Sequence, residues 1–198
     1  MIDRRHLLAV SAAAAVLPAA ACKPSGGGKA AQQLNALLDE FMQGNLKRYP
    51  ETATGLGLDK DKLAGEKSLL DDRSLAQVAR DKAENARRQK ALAAIDRKAL
   101  SGMDAVNYDT IAYVQDVQAQ FDSQFDYGGD NNGSPYVLTQ LSGAYLTVPD
   151  FLDTQHSIAT SADAEAYLSR MSGLARAMDQ ELEMVRHDAA LGVIPPDF

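Results

Sequence analysis

The sequence predicts an all-α fold, an irregular array of amphipathic helices. Apolar residues recur at helical spacing in several stretches of the chain. Alanine is abundant, β-branched residues are sparse, and the 198 residues include no tryptophan. Capping residues and glycine stop signals flank the periodic stretches, as expected at the two ends of a helix.

The composition excludes one class of partner. Hydrophobic residues make up 45% of the chain and charged residues 24%, which are ordinary values for a globular protein. The formal net charge is −7 at pH 7. A nucleic-acid-binding surface needs a basic stripe, so we expect no nucleic-acid partner.

The first 21 residues are typical of an export signal. Arg4 and Arg5 precede an Ala/Val/Leu run that is too short for a membrane span of about 20 residues. Such a run fits the apolar region of a secretory signal, and paired arginines indicate the twin-arginine route. We predict a signal peptide at residues 1–21, either disordered or helical.

The only cysteine, Cys22, follows three alanines at residues 19–21. This context resembles a bacterial lipobox, in which the cysteine becomes the lipidated first residue of the mature protein. The alternative is ordinary cleavage that leaves a free thiol. Residues 22–32 are rich in glycine and predict a flexible tether. We therefore expect a periplasmic, lipid-anchored protein, on the outer membrane rather than the inner because Lys23 follows the cysteine.

The first two predicted helices flank a glycine-punctuated polar segment. Leucine, phenylalanine and methionine spacing predicts a helix over residues 30–48, and Pro50 disfavours helix at Tyr49. Residues 51–68 predict a loop. The second helix, at residues 74–96, begins at Ser74 as its N-cap, and its charge run is interpreted as a solvated face.

The third predicted helix begins at Ser101 and continues to about residue 123. Asp104 follows Ser101 by three residues, which resembles a capping box. The apolar stripe of this helix consists of Val106, Tyr113, Val117 and Phe121. Glycine and asparagine at residues 128–133 predict a loop after it.

Two prolines predict short helices in the next segment. Ser134 followed by Pro135, and Pro149 farther on, each provide a proline for a first helical position. The residues between them allow either a helix bent at Gly143 or a partly extended segment.

The last predicted helix begins at a capping box formed by Thr160 and Asp163 and ends near residue 190, before Gly192. Its apolar residues recur at helical spacing. They are Leu168, Met171, Leu174, Ala175, Met178, Leu182 and Val185. We expect the predicted helices to bury such stripes against one another.

Catalytic motifs are sparse. A zinc hydrolase needs at least two close ligands and a base, as in HExxH, and none of the three histidines lies in that motif. Glu183 and His187, four residues apart, are either two metal ligands or an exposed pair at a helix C-terminus. His156 either binds substrate or fixes its loop. The chain has no GxSxG nucleophile motif and no phosphate-binding loop motif.

The segments GSPYVLTQLSGAYLTVPDFLDTQHSIATSADAEAYLSRM and DAALGVIPPDF resemble the N-terminal region of the bacterial domain-of-unknown-function family 885. The shorter segments ETATGLGLD, LDDRS and AIDRKALSGMDAVNYDT agree in order and spacing. The resemblance covers residues 33–198. It implies a helical scaffold and, at its cleft, a substrate role for Gln140, Tyr145 and His156.

Members of that family are several hundred residues long, many are exported, and they resemble helical zinc peptidases. Their metal motif, similar to HExxPGHH, lies in the C-terminal half and has no counterpart in this sequence. The resemblance therefore implies zinc and a peptide substrate for a full-length member, and no catalytic residue or zinc site within this chain.

Three functional hypotheses remain open. Pro195 and Pro196 direct the chain onward after the Gly192 stop, so residues 33–198 form the N-terminal part of a larger helical fold, truncated before the motif-bearing half that packs against it. Alternatively, the chain is a complete non-catalytic lipoprotein that binds a partner. The third hypothesis is a small metalloenzyme that uses Glu183 and His187.

Overall fold

The computed structural model describes residues 28–128 and 134–196, and these residues form helices joined by turns and irregular segments. The all-α prediction is confirmed: the described residues contain no strand beyond an isolated bridge between Thr139 and Ser142. The predicted signal with Arg4 and Arg5, and the predicted lipidation at Cys22, lie outside the described residues. The α-helices are α1 (Lys29–Arg48), α2 (Pro50–Gly55), α3 (Leu75–Ala93), α4 (Gly102–Gln124), α5 (Ala144–Thr154) and α6 (Ser161–Ala190), with 3-10 helices at Asp61–Ser68 and Arg97–Ala99.

The predicted tether, residues 22–32, extends too far, because α1 begins at Lys29. Residues 29–32 are helical, and Ala30 and Ala31 are buried in a cluster with Leu92, Ile95 and Leu100. These apolar contacts hold the first turn of α1 against the end of α3. The predicted stop is confirmed, since α1 ends at Arg48, just ahead of the proline.

The predicted loop at residues 51–68 is wrong. Pro50 occupies the first position of α2, where its missing N–H costs nothing, and a 3-10 helix follows. Ala53 and Leu63 bury themselves against Leu46 of α1, so a few apolar residues order a segment that is otherwise polar. Gly57, with a φ of 68°, permits the turn between these short elements.

Helices α3 and α4 begin directly after Ser74 and Ser101, as predicted, but only Ser74 caps its helix with a side-chain hydrogen bond. The Ser74 hydroxyl accepts a hydrogen bond from the Gln77 N–H at 3.2 Å. Ser101 makes no such bond; Gly102, with a φ of 56°, turns the chain into α4 instead. The charge run of α3 is largely engaged in ion pairs, such as those of Arg87 and Arg88 with Glu84, which agrees with a solvated face.

The short helices predicted at Ser134 and Pro149 are also wrong. Residues 134–143 form turns, and α5 begins at Ala144, so Pro149 lies inside it. The carboxylate of Glu181, on α6, accepts the Ala144 N–H at 2.9 and 2.8 Å. This long-range cap fixes the start of α5, a position that the local sequence does not reveal.

Replacing Gly143 with alanine is expected to destabilise the fold. Gly143 has a φ of 122°, and an added Cβ would lie 2.6 Å from Cδ2 of Leu138. We expect Gly143→Ala to lower the free energy of unfolding by about 2 kcal/mol, measured by urea denaturation. The matched control is Gly65→Ala, because that site has open space around it. Equal losses of stability in the two variants would contradict a strained backbone at position 143.

Both predicted ends of α6 are confirmed. The Asp163 N–H donates to the Thr160 hydroxyl at 3.2 Å, and the Asp163 carboxylate accepts the Thr160 N–H at 2.8 Å. Gly192 has a φ of 86°, and the Val193 N–H donates to the Asp188 carbonyl at 3.0 Å. The last long helix therefore ends in the predicted glycine stop.

Most of the predicted apolar stripes of α4 and α6 is not buried; only Phe121, Leu174 and Val185 are half-buried. Val106, Tyr113, Leu168 and Met171 are all exposed. The buried face of α6 is instead mainly polar, and it consists of Arg170, Ala177, Glu181, Met184 and Asp188. None of the described helices combines the length and apolar character that a membrane crossing requires.

Candidate functional site

A groove of about 970 Å³ lies between α1, α3, α4 and the C-terminal part of α6. Its walls carry apolar and aromatic side chains, a composition common in ligand sites. They include Phe41, Val78, Ile111, Val114, Phe121 and Phe125. The Arg48 guanidinium and the Asp81 carboxylate form an ion pair at 2.7 Å in the same groove, which joins α1 to α3.

Gln115 gives this groove a buried hydrogen-bond acceptor. The residue is 7% exposed, and its Oε1 atom has no hydrogen-bond partner among the described residues. Its backbone carbonyl accepts from the side-chain amides of Asn85 and Gln89 at 3.3 and 3.0 Å, which holds α4 against α3. A ligand N–H or hydroxyl could satisfy the Gln115 side chain.

His187 lies at the end of the groove between two carboxylates. Its Nδ1 is 3.1 Å from Oδ1 of Asp188, and its Nε2 is 3.7 Å from Oδ2 of Asp126. The second Asp188 oxygen accepts the Gly128 N–H at 3.0 Å. Glu183 lies exposed on α6. In residues 28–128 and 134–196, no group of three or more potential ligands could hold a metal ion.

A second pocket, of about 300 Å³, adjoins the groove and contains two carboxylates whose pKa values are raised, Asp71 and Glu181. Burial, reinforced by the negative charge of Glu51, raises the pKa of Asp71 to about 6. Burial also raises the pKa of Glu181, although the Ala144 N–H and Arg73 oppose the shift. Perturbed carboxylates in a pocket can mark a functional site, and here they also cap helices.

Arg73 connects these carboxylates. Its guanidinium donates to both oxygens of Glu51 at 2.9 and 3.0 Å, and its Nε lies 3.4 Å from Glu181. The Glu51 N–H in turn donates to Asp71 at 3.1 Å, so Asp71 caps α2 as Glu181 caps α5. The sequence did not indicate this network, because its members come from four separate segments.

His156 is buried and has both ring nitrogens engaged. The Arg170 guanidinium donates to its Nδ1 at 2.8 Å. An arginine can only donate, so Nδ1 is the acceptor and Nε2–H donates to the Asp163 carbonyl at 3.0 Å. These contacts support the loop-fixing alternative for His156.

Arg170 is the buried centre of this second network. Its guanidinium also donates to the Leu69 carbonyl at 2.8 Å, the Thr54 hydroxyl at 2.8 Å and the Glu66 carbonyl at 3.1 Å. It stacks over the Phe151 ring at 4.8 Å. Burial lowers the pKa of Arg170 from its usual value, although an arginine stays charged at neutral pH. The side chain thus ties α6 to α2, the 3-10 helix and α5.

The other two predicted substrate residues lie elsewhere. Gln140 is exposed in the turn before α5, and the Tyr145 hydroxyl donates to the Thr139 carbonyl at 2.8 Å. His156 follows the opposite end of α5, a helix about 16 Å long. Gln140, Tyr145 and His156 do not form one cluster, and none lines the groove or the adjoining pocket.

Comparison with known proteins finds a family match. A family model described as "Bacterial protein of unknown function (DUF885)" matches residues 50–198. No curated protein and no solved structure matches the chain.

Proposed function

The chain belongs to the DUF885 family, and we propose that it forms the N-terminal helical part of an exported, lipid-anchored protein of the zinc-peptidase-like type. In this proposal the chain supplies the scaffold and the groove for a peptide substrate. The described residues do not offer a zinc site, so the proposal assigns zinc and catalysis to residues outside them.

The exposed face of α4 carries the proposal. Met103, Val106, Tyr113 and Val117 are between 46% and 70% exposed and share one side of the helix. A soluble domain rarely leaves such a stripe uncovered, so a further packing element is expected on it. The charges of α4 are all acidic, which favours a covering element with basic residues.

The coding sequence beyond codon 198 tests this proposal directly. We expect the reading frame to continue into further helices and a run similar to HExxPGHH. A natural stop after Phe198, with no such run and no frameshift downstream, would remove the support for a missing half.

The alternative function is a binding module without catalysis, which the unpartnered Gln115 oxygen in the groove favours. We expect a fluorescent peptide with apolar side chains to bind saturably, measured by anisotropy. Replacing Gln115 with methionine should weaken binding about tenfold, because a buried hydrogen bond is lost. Unchanged binding in Gln115→Met, with an unchanged melting temperature, would contradict this role.

The lipid anchor gives a separate prediction. Cells fed an alkyne-labelled fatty acid should incorporate the label into this protein, and Cys22→Ala should abolish it, because Cys22 is the only cysteine. In the matched export test, Arg4→Lys with Arg5→Lys should leave the precursor in the cytoplasm. Label retained in Cys22→Ala would contradict the lipid anchor, and normal export of the lysine variant would contradict the twin-arginine route.

A further inference from the structure

The exposed side of α6 carries apolar residues at alternating intervals of three and four. Leu168, Met171, Met178 and Leu182 are each at least 42% exposed, and Ala175 between them is exposed as well. Val185, half-buried, continues the same spacing. This is the pattern of the contact positions of a two-stranded coiled coil, here extending over about 27 Å of helix. We call these six residues the α6 stripe.

We propose that the α6 stripe pairs with the α6 stripe of a second copy of this chain, with the two helices antiparallel. In this register Leu168 faces Val185 of the second copy, and Met171 faces Leu182. At the centre, the small Ala175 faces the long Met178 side chain. Every level of the pairing therefore joins two apolar side chains, and the two-fold axis repeats each contact.

The charges beside the α6 stripe select the antiparallel orientation. Glu165 and Arg186 are exposed on one flank, near opposite ends of the stripe, and neither forms an ion pair within the described part of the chain. Antiparallel pairing brings Glu165 beside Arg186 of the second copy, twice. In a parallel pair this flank would face the other flank of the second copy, so Glu165 and Arg186 would not meet and the attraction would be absent.

The charges of α4 make its exposed stripe unsuitable for pairing with a second copy. The α4 stripe has similar spacing, but the helix carries four aspartates and no lysine or arginine. Two copies of α4 would therefore meet with like charges along the contact. The α6 pairing goes beyond the proposed function, since it requires neither zinc nor a peptide substrate.

Sedimentation velocity of the full chain in mild detergent tests the pairing. We expect a dimer, and we expect Met171→Glu with Met178→Glu to weaken it by at least about tenfold, because two charges enter an apolar contact. The matched control is Val106→Glu with Val117→Glu on α4, which should leave the dimer intact. Circular dichroism confirms that each variant keeps its helix content. A wild-type monomer, or dissociation by the α4 variant alone, would overturn the proposal.

Charge reversal tests the orientation. Glu165→Arg alone should weaken the dimer by roughly fivefold, because two attractive pairs become repulsive. Adding Arg186→Glu should restore the wild-type affinity, since the opposite charges again meet. A parallel dimer would respond to neither change, so failure of the double variant to recover overturns the antiparallel pairing.

Discussion

Replacing Arg170 with methionine is expected to lower the free energy of unfolding by about 3–5 kcal/mol, a larger loss than that expected for Gly143→Ala. The guanidinium is fully buried and serves acceptors on three other segments. Methionine fills much of the volume but donates no hydrogen bond. The Thr54 hydroxyl, the His156 ring and the Glu66 carbonyl would then lose a donor while buried or half-buried, at about 1–3 kcal/mol for each fully buried group.

Urea denaturation followed by circular dichroism measures this effect. The matched control is Arg176→Ala, on the same helix but exposed, which should change stability by less than about 0.5 kcal/mol. The loss of stability in Arg170→Lys should lie between the losses in Arg170→Met and Arg176→Ala, because an ammonium group reaches fewer of the acceptors than a guanidinium. A loss below about 1 kcal/mol in Arg170→Met would show that water replaces the guanidinium.

The raised pKa of Asp71 is expected to lower the stability of the fold as the pH rises from 4 to 7, against the opposite contribution of carboxyls whose pKa is lowered, such as Asp72 and Glu84. The pKa of Asp71 is raised from 3.8 to about 6 in the folded chain. Between these values the folded chain holds a proton that the unfolded chain has released, so stability is higher at the acidic end of this window. At 1.36 kcal/mol for each pKa unit, full ionisation of this buried carboxyl costs about 3 kcal/mol.

Asp71→Asn should remove most of that slope and raise stability at pH 7, because the amide oxygen still accepts the Glu51 N–H without a charge. Unfolding curves at several pH values measure the difference. Glu181, whose pKa is also raised, leaves a residual slope of the same sign. The control is Asp109→Asn at the surface, where Arg97 lowers the pKa of the aspartate, so the control should keep the full slope. Parallel curves for the wild type and Asp71→Asn would contradict this assignment.

One part of the functional prediction, the family, could be made from the sequence, and the other part, the candidate site, could not. Family membership followed from the order of several short segments, and the family match over residues 50–198 confirms it. The candidate site did not follow. The groove is lined by residues from α1, α3, α4 and α6, and the adjoining pocket contains Asp71 and Glu181. These residues lie far apart in the sequence, so no local motif predicts that they come together.

The sequence by itself determined the helical class, the ends of α1 and α6, and the Ser74 cap of α3. These features depend on contacts between residues three to five positions apart, which a short stretch of sequence contains in full. The start of α5 depends instead on a long-range contact, the hydrogen bond from the Ala144 N–H to Glu181. The local signals at Ser134 and Pro149 therefore predicted the wrong helix starts.

Only the tertiary structure decided which face of each helix turns inward. Helical spacing shows that Leu168 and Met171 share a side of α6, but burial also needs a partner surface on that side. Arg170 and Glu181 turn inward instead, because acceptors and donors more than 30 residues away satisfy them. The interior is therefore partly a polar network, and an apolar stripe of α6 remains on the surface, because the segments that satisfy Arg170 and Glu181 pack on a different side of the helix.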